Sequence, residues 1–366
     1  MPERTWGPST RAIHAGLPPA QQGEPLLAGP VLAAPYHLSG EIDAAPYGYT
    51  RDGNPTWTAL EAALGALEGG ETVCFASGMA ALTAVVLGRL RPGDRLVAPG
   101  DGYPGIRKLA SERLQPAGIR VDLVPTDTEQ IVTAARGAAL VWVETPANPR
   151  LDVCDLEAVA AAVRAEGALL GVDNTVATPL GQRPLDFGAH FSMCAGTKSL
   201  AGHSDLLLGS VAVRDGALAA DLRAWRSQTG AIPSPFEAWL AHRSLATLEL
   251  RLARQSQNAL ALAGRLADRD GVADVRHPSQ HEIAFRQMGH FGPLVGFTLA
   301  SAAAAQAFLS RAELVVEATS FGGVHTTAER RARWGTDAVA EGFVRLSAGC
   351  EDTADLIADV EQALDG

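Results

Sequence analysis

The sequence predicts an α/β protein built around a parallel sheet, and three features carry that prediction. Runs such as "AALVWVET" (138–145) and "ALLGVDNT" (168–175) are apolar on both alternating sides, so neither face suits water. Between them stand patterns with helical spacing, such as "DLEAVAAAVRAEG" (155–167). Strands alternating with helices give a parallel sheet covered on both faces. The third feature is a change of texture after a long helical stretch, residues 234–271, beyond which the strands become shorter.

The elements follow in order. Residues 1–45 are rich in Pro and Gly ("GLPPAQQGEPLLAGP") and their apolar residues are too scattered for a regular element. This is the composition of an extended arm, suited to lying on a neighbouring subunit. "TWTALEAALGALEGG" is a helix stopped by Gly69-Gly70, "ETVCFAS" a strand, and "GMAALTAVVLGRL" a helix ending before Pro92-Gly93. "DRLVAPG" is the next strand. Residues 46–250 are expected to form a large domain, and 251–366 a smaller α+β domain with strands at "PLVGFTLA" and "FVRLSAG" and a closing helix at "DTADLIADVEQALDG".

Composition narrows the function. The 366 residues are enough for two cores, and 47% hydrophobic with 19% charged residues is the balance of a globular chain. Thirty basic against 41 acidic residues leave a net charge of -11, which disfavours nucleic acid or an anionic membrane as the main partner. Cys74, Cys154, Cys194 and Cys350 are too dispersed for a zinc site and suit buried thiols in a reducing cytosol. No apolar run reaches about 18 residues and no export signal opens the chain, so a cytoplasmic location is expected.

Ligands of open parallel sheets bind beyond the carboxyl ends of the strands, and several such ends carry useful groups. "CFASGM" runs through Ser77 and Gly78 into a helix start, which is either an anion cradle or a plain tight turn. "VWVETPANP" ends in Glu144 and Asn148, weak evidence alone because Asn before Pro is common in turns. Asp173 closes an apolar strand, where a carboxylate either fixes a loop or meets a cation. Lys198 sits among small residues in "MCAGTKSLAGHSD"; its head either reaches water or stays confined with a lowered pKa, a free amine able to condense with a carbonyl. "GTKS" is not a P-loop, because Thr197 separates Gly196 from Lys198, and "ASGMAA" is not a dinucleotide fingerprint. His277 and His281 have metal-like spacing, but Pro278 interrupts any helix between them.

Taken in order, these segments resemble the Cys/Met metabolism family of pyridoxal-phosphate (PLP) enzymes, which includes cystathionine γ-lyase, cystathionine γ-synthase, cystathionine β-lyase and methionine γ-lyase. The resemblance runs through "TRAIHAG" (10–16), "YGYTRDGNPT" (47–56), "ASGMAAL" (76–82), "ETPANP" (144–149), "VDNTVATPLGQRPLDFGA" (172–189), "GTKSLAGHSD" (196–205) and "FVRLSAGCEDTADLIADVEQAL" (343–364). It implies PLP-dependent transferase fold type I, with a mainly parallel sheet of the seven-stranded type.

The resemblance also implies roles. Lys198 would hold PLP covalently and move protons, and Asp173 would pair with the pyridine nitrogen, a close charge pair worth up to about 4 kcal/mol at an effective dielectric near 20. Gly78, Met79 and Thr197 would bind the phosphate, with Tyr49 and Arg51 reaching it from the adjacent subunit of a tetramer made of two dimers. Tyr49 would also border the substrate. Tyr103 would stack on the ring and assist proton transfer, and Asn148 would lie near the ring oxygen. Arg345, with Ser320 beside it, would clamp the substrate α-carboxylate. The implied reaction is carbon–sulfur cleavage in a sulfur amino acid, with γ-elimination from cystathionine placed before methionine γ-cleavage and γ-replacement on an O-acyl-homoserine; a PLP-binding protein with little catalysis is the remote alternative.

Several positions depart from the family pattern. Ala195 replaces a phosphate-binding Ser, a hydrogen bond worth on the order of 1 kcal/mol. In "EATSFGGVHTTAE", Thr319 and His325 stand where Glu is usual and Phe321 where Leu is usual, and the following segment, "RRARWGTDAV", is shortened.

Overall fold

The alternation of apolar runs and helices produces two sheets in the computed structural model, which describes residues 6–365. The first sheet contains β1 (Glu71–Phe75), β2 (Arg95–Pro99), β3 (Arg120–Val124), β4 (Leu140–Glu144), β5 (Leu169–Asp173), β6 (Phe191–Cys194) and β7 (Gly209–Val213). Their spatial order is β1-β7-β6-β5-β4-β2-β3. Only β7 runs against its neighbours; the other pairings are parallel. Every residue of β4, β6 and β7 is buried, which explains their lack of polar alternation.

Alternate side chains feed two cores. Val73, Phe75, Leu96 and Trp142 pack on one side of the sheet, and Val97, Val141, Val143 and Val172 on the other. Each such side chain contributes about 1.5–3 kcal/mol by leaving water. Helix α1 (Pro8–His14), α2 (Pro55–Glu68), α3 (Gly78–Arg89) and α4 (Pro104–Leu109) punctuate the first part of the chain. Side chains of Asn54 and Ser77 cap the starts of α2 and α3, accepting from Thr56 and Ala80 N–H groups.

The second sheet contains β8 (Val272–Arg276), β9 (Leu294–Leu299), β10 (Val316–Glu317), β11 (Thr327–Arg330) and β12 (Phe343–Ser347), in the order β10-β11-β12-β9-β8. Helices Leu248–Ala267, Ala302–Arg311 and Thr353–Asp365 supply its core partners, with Leu262, Phe308 and Val360 meeting Phe297, Val344 and Leu346.

Two expectations need correction. The N-terminal region is not without regular structure: α1 forms there, and Ala12 is buried in the cluster containing Trp57 and Leu60 of α2. So short a helix, with a single buried residue, leaves no period to detect. The long helical stretch at 234–271 is two helices, Pro235–Leu245 and Leu248–Ala267, parted at Ala246 and Thr247.

Candidate active site

The carboxyl ends of the parallel strands converge on one cavity of about 190 Å³, far more than a single water needs. Glu144 and Asp173 end neighbouring strands and are register partners. Both are buried. Burial, then the nearby Asp173 charge, pushes the Glu144 carboxyl up to about 8. Burial also raises Asp173, against hydrogen bonds from Thr175 and the charge of Lys198. Glu144 acts as a positioning group, because its two oxygens accept the Tyr103 N–H at 2.6 Å and the Asn148 N–H at 2.7 Å. One side chain thus ties together two loops that border the cavity.

Lys198 lies in the turn after β6, where its N–H bonds Ala195 O and its carbonyl accepts from Gly202. Its Nζ donates to Ser320 Oγ at 2.6 Å and lies 5.1 Å from the centre of the Phe321 ring. Burial, followed by the charges of Arg345 and Arg331, lowers its ammonium to about 8, with Glu329 and Asp173 opposing. A sizeable fraction of the amine is therefore neutral at mildly alkaline pH.

Arg345, on β12, is buried and held by three partners. It donates to Asn148 Oδ1 at 2.7 Å, Ser320 O at 2.8 Å and Glu329 Oε1 at 2.6 Å. Ser320 has φ 78°, a left-handed conformation uncommon for serine, and one residue thereby serves Lys198 with its hydroxyl and Arg345 with its carbonyl.

Opposite these groups, Ser77 satisfies the Ala80 N–H and leaves the Gly78 and Met79 N–H groups at the start of α3 for an anion. A Cβ on Gly78 would stand 2.7 Å from the Ala195 Cβ, so the helix start and the lysine turn can approach only because residue 78 is glycine. Thr197 Oγ1 accepts from Leu208 N–H at 3.0 Å and donates to Leu208 O at 3.3 Å, a long bond readily exchanged. Amine, buried carboxylate and helix start share one cavity. That donor set fits PLP, which brings a carbonyl for the amine, a ring nitrogen for the carboxylate and a phosphate for the helix start.

The cavity brings together Gly78, Met79, Tyr103, Asn148, Asp173, Thr197 and Lys198. Ser320 and Arg345 join them through the hydrogen bonds above. Tyr49 and Arg51 do not line it; they are exposed, with the Arg51 guanidinium 5.4 Å from the Tyr49 ring. Sequence reasoning missed the Phe321 ring between two cations, 5.5 Å from Arg345, and the buried Glu329. Glu144 stands out in the sequence as a strand-end acid, yet its bonds to two loops carry no local signal.

Comparison with known proteins gives a consistent picture. The model of a family described as Cys/Met metabolism PLP-dependent enzyme matches residues 9–365. A Streptomyces coelicolor protein provisionally named cystathionine gamma-lyase is 52% identical, covering 98% of this chain and 94% of its own. A cystathionine gamma-synthase of Mycobacterium bovis is 38% identical over 98% of this chain and 97% of its own. Among solved structures, metB from Corynebacterium glutamicum superposes with a TM-score of 0.95 at 37% identity, covering 99% of this chain and 98% of that one.

Proposed function

Because the chain belongs to the Cys/Met metabolism family of PLP-dependent enzymes, we propose that it cleaves the Cγ–S bond of cystathionine. One cystathionine and one water would give cysteine, 2-oxobutanoate and ammonia. The observation that carries this reading is the Lys198 amine, lowered to about 8 and opening on the same cavity as Asp173 and the α3 start. The 52% identity to a protein named for this lyase favours it over γ-replacement, whose named relative is 38% identical.

When bound, PLP supplies an electron sink for a substrate carbanion. The chain's own residues supply the rest. Lys198 anchors the cofactor, then takes the Cα proton and moves protons at Cβ as the thiol leaves Cγ. Asp173 holds the ring nitrogen in its cationic form, which removes the cost of leaving that carboxylate buried and alone. Arg345 offers its remaining donors to the α-carboxylate. Tyr103 would cover the ring; burial and the charges of Asp173 and Glu144 raise its phenol, which keeps it protonated at neutral pH. Gly78, Met79 and Thr197 hold the phosphate. The Ser77 hydroxyl lines the cavity and is engaged as an acceptor by the Ala80 N–H, which leaves its hydrogen to substitute for the hydroxyl absent at Ala195.

Tyr49 and Arg51 fit a phosphate contact made across a subunit boundary, since both are exposed and outside their own chain's cavity. Exposed Leu26, Leu32 and Ile42 in the N-terminal arm and Leu207 at the cavity rim suit cover by a second copy. A dimer of dimers with shared sites is the arrangement proposed. A cytoplasmic setting fits four free thiols, and no helix among the described residues is long and apolar enough to cross a membrane.

A substrate panel tests the reaction. Holoenzyme given cystathionine is expected to release 2-oxobutanoate and cysteine; oxoacid from methionine but not from cystathionine, or thioether from an O-acyl-homoserine plus cysteine alone, would reject it. The amine has its own test. The rate at which apoprotein captures PLP is expected to rise with pH and level off just above 8, and a rate still climbing toward the ordinary lysine value of 10.5 would contradict the assignment.

A further inference from the structure

Arg345 is one end of a buried chain of charges that reaches the turn before Tyr103. Its register partner across the β11–β12 pair is Glu329. Glu329 Oε1 also accepts from Arg331 at 2.6 Å, and Oε2 accepts from Trp334 Nε1 at 2.9 Å. Arg331 pairs with Asp337 at 2.6 Å, and Asp337 in turn stands 3.5 Å from Arg107 of α4. The Arg107 guanidinium donates to the carbonyls of Thr336 and Gly102, the latter beside Tyr103. Charges therefore alternate from Arg345 through Glu329, Arg331 and Asp337 to Arg107. Side-chain exposure ranges from 0% at Glu329 to 17% at Arg107, so water screens little of this chain.

A buried ion network is a poor route to stability, because well-packed apolar groups of the same volume do as well or better. Geometry is what this one provides. A guanidinium has five N–H donors in a fixed plane. Three of Arg345's are held by Asn148, Ser320 and Glu329, which fixes that plane and leaves two for a ligand. Burial works against the charge on Glu329, yet Arg345, Trp334 and Arg331 outweigh it and hold the carboxyl below its ordinary range, so the anchor stays ionised at neutral pH.

We propose that Glu329 and Asp337, neither of which lines the cavity, are positioning residues: Glu329 directly, and Asp337 through Arg331 and Glu329, set the plane of Arg345 and tie it to the Tyr103 turn, so that a substrate carboxylate meets donors already aimed. This rests on the reading of Arg345 as the α-carboxylate site. It assigns the segment after β11 a part in recognising amino acids as a class, whatever their sulfur-bearing end.

The test uses holoenzyme and two small probes, glycine and glycinamide, whose binding is followed by the change in visible cofactor absorbance. Wild type is expected to prefer the carboxylate. Glu329→Gln and Asp337→Asn are each expected to reduce that preference about tenfold with PLP affinity unchanged, and the double variant to lose less than the product of the two. Should Glu329→Gln not fold, Asp337→Asn carries the test from the end of the network nearest Arg107. A preference unchanged or increased, with only the melting temperature lower, overturns the proposal, as do losses that simply multiply. A wild-type protein with no preference would instead remove Arg345 as the carboxylate site, and the positioning role with it; that outcome is visible before any variant is made.

Discussion

Lys198→Ala is expected to lower turnover about 10³-fold and to abolish the visible absorbance of lysine-bound PLP. The effect is large because the proposed mechanism gives one amine both the anchoring of the cofactor and the movement of the protons, and the chain has no understudy. It contains only two lysines, Lys108 and Lys198. Lys108 is on the surface, with its side chain 75% exposed and 4.0 Å from Glu112. Borohydride reduction of wild-type holoenzyme followed by peptide mass analysis should therefore label Lys198 alone. A label on Lys108, or a variant that keeps its colour and turnover, would refute the assignment.

Asp173→Asn should separate stability from activity. With no cation bonded to it, the buried carboxylate is disfavoured in its charged form, and its raised pKa marks a cost that grows as pH rises above the ordinary carboxylate range. The Asn variant is therefore expected to have a higher apoprotein melting temperature than wild type at neutral pH, with the gap closing in acid. The same change withdraws the negative partner proposed for the ring nitrogen, and turnover is expected to fall by roughly 10²-fold or more. Thermal scans of both apoproteins at two pH values, paired with steady-state assays, check both halves. A variant that loses stability in parallel with activity would place Asp173 among ordinary structural residues.

The parts of the site readable from sequence are those with local punctuation. Lys198, Asp173 and Ser77-Gly78 each follow an apolar run and are bounded by small residues, so burial and turn can both be inferred from neighbours. Strands β4, β5, β9 and β12 are legible for the same reason. The edge strand β3 is not, because Arg120 and Asp122 break its apolar run on an exposed border. Nor are β8, β10 and β11, which are short or partly exposed. Glu329 looks like one acid in a charged stretch; its pairing with Arg345 joins positions 16 apart through strand register, which leaves no periodic trace. The role of Glu144 is hidden similarly, since Tyr103 is 41 residues away.

Ser320 touches Lys198 with its hydroxyl and Arg345 with its backbone carbonyl, so any exchange there is expected to perturb both proposed functions, chemistry and recognition, at once. Thr319 and His325 border an outer hollow with Asp205 and Glu237 that shares Thr197 and Leu207 with the cavity. Thr319 Oγ1 donates to Glu329 Oε1 at 3.2 Å and so belongs to the network around Arg345, whereas His325 makes no bond to Lys198 or Arg345. Change can thus be confined to one position: residue 325 can be rewritten to accept a different leaving group while Thr319, Ser320 and the network behind them are inherited intact, and a directed library at position 325 should yield altered selectivity far more often than inactive enzyme.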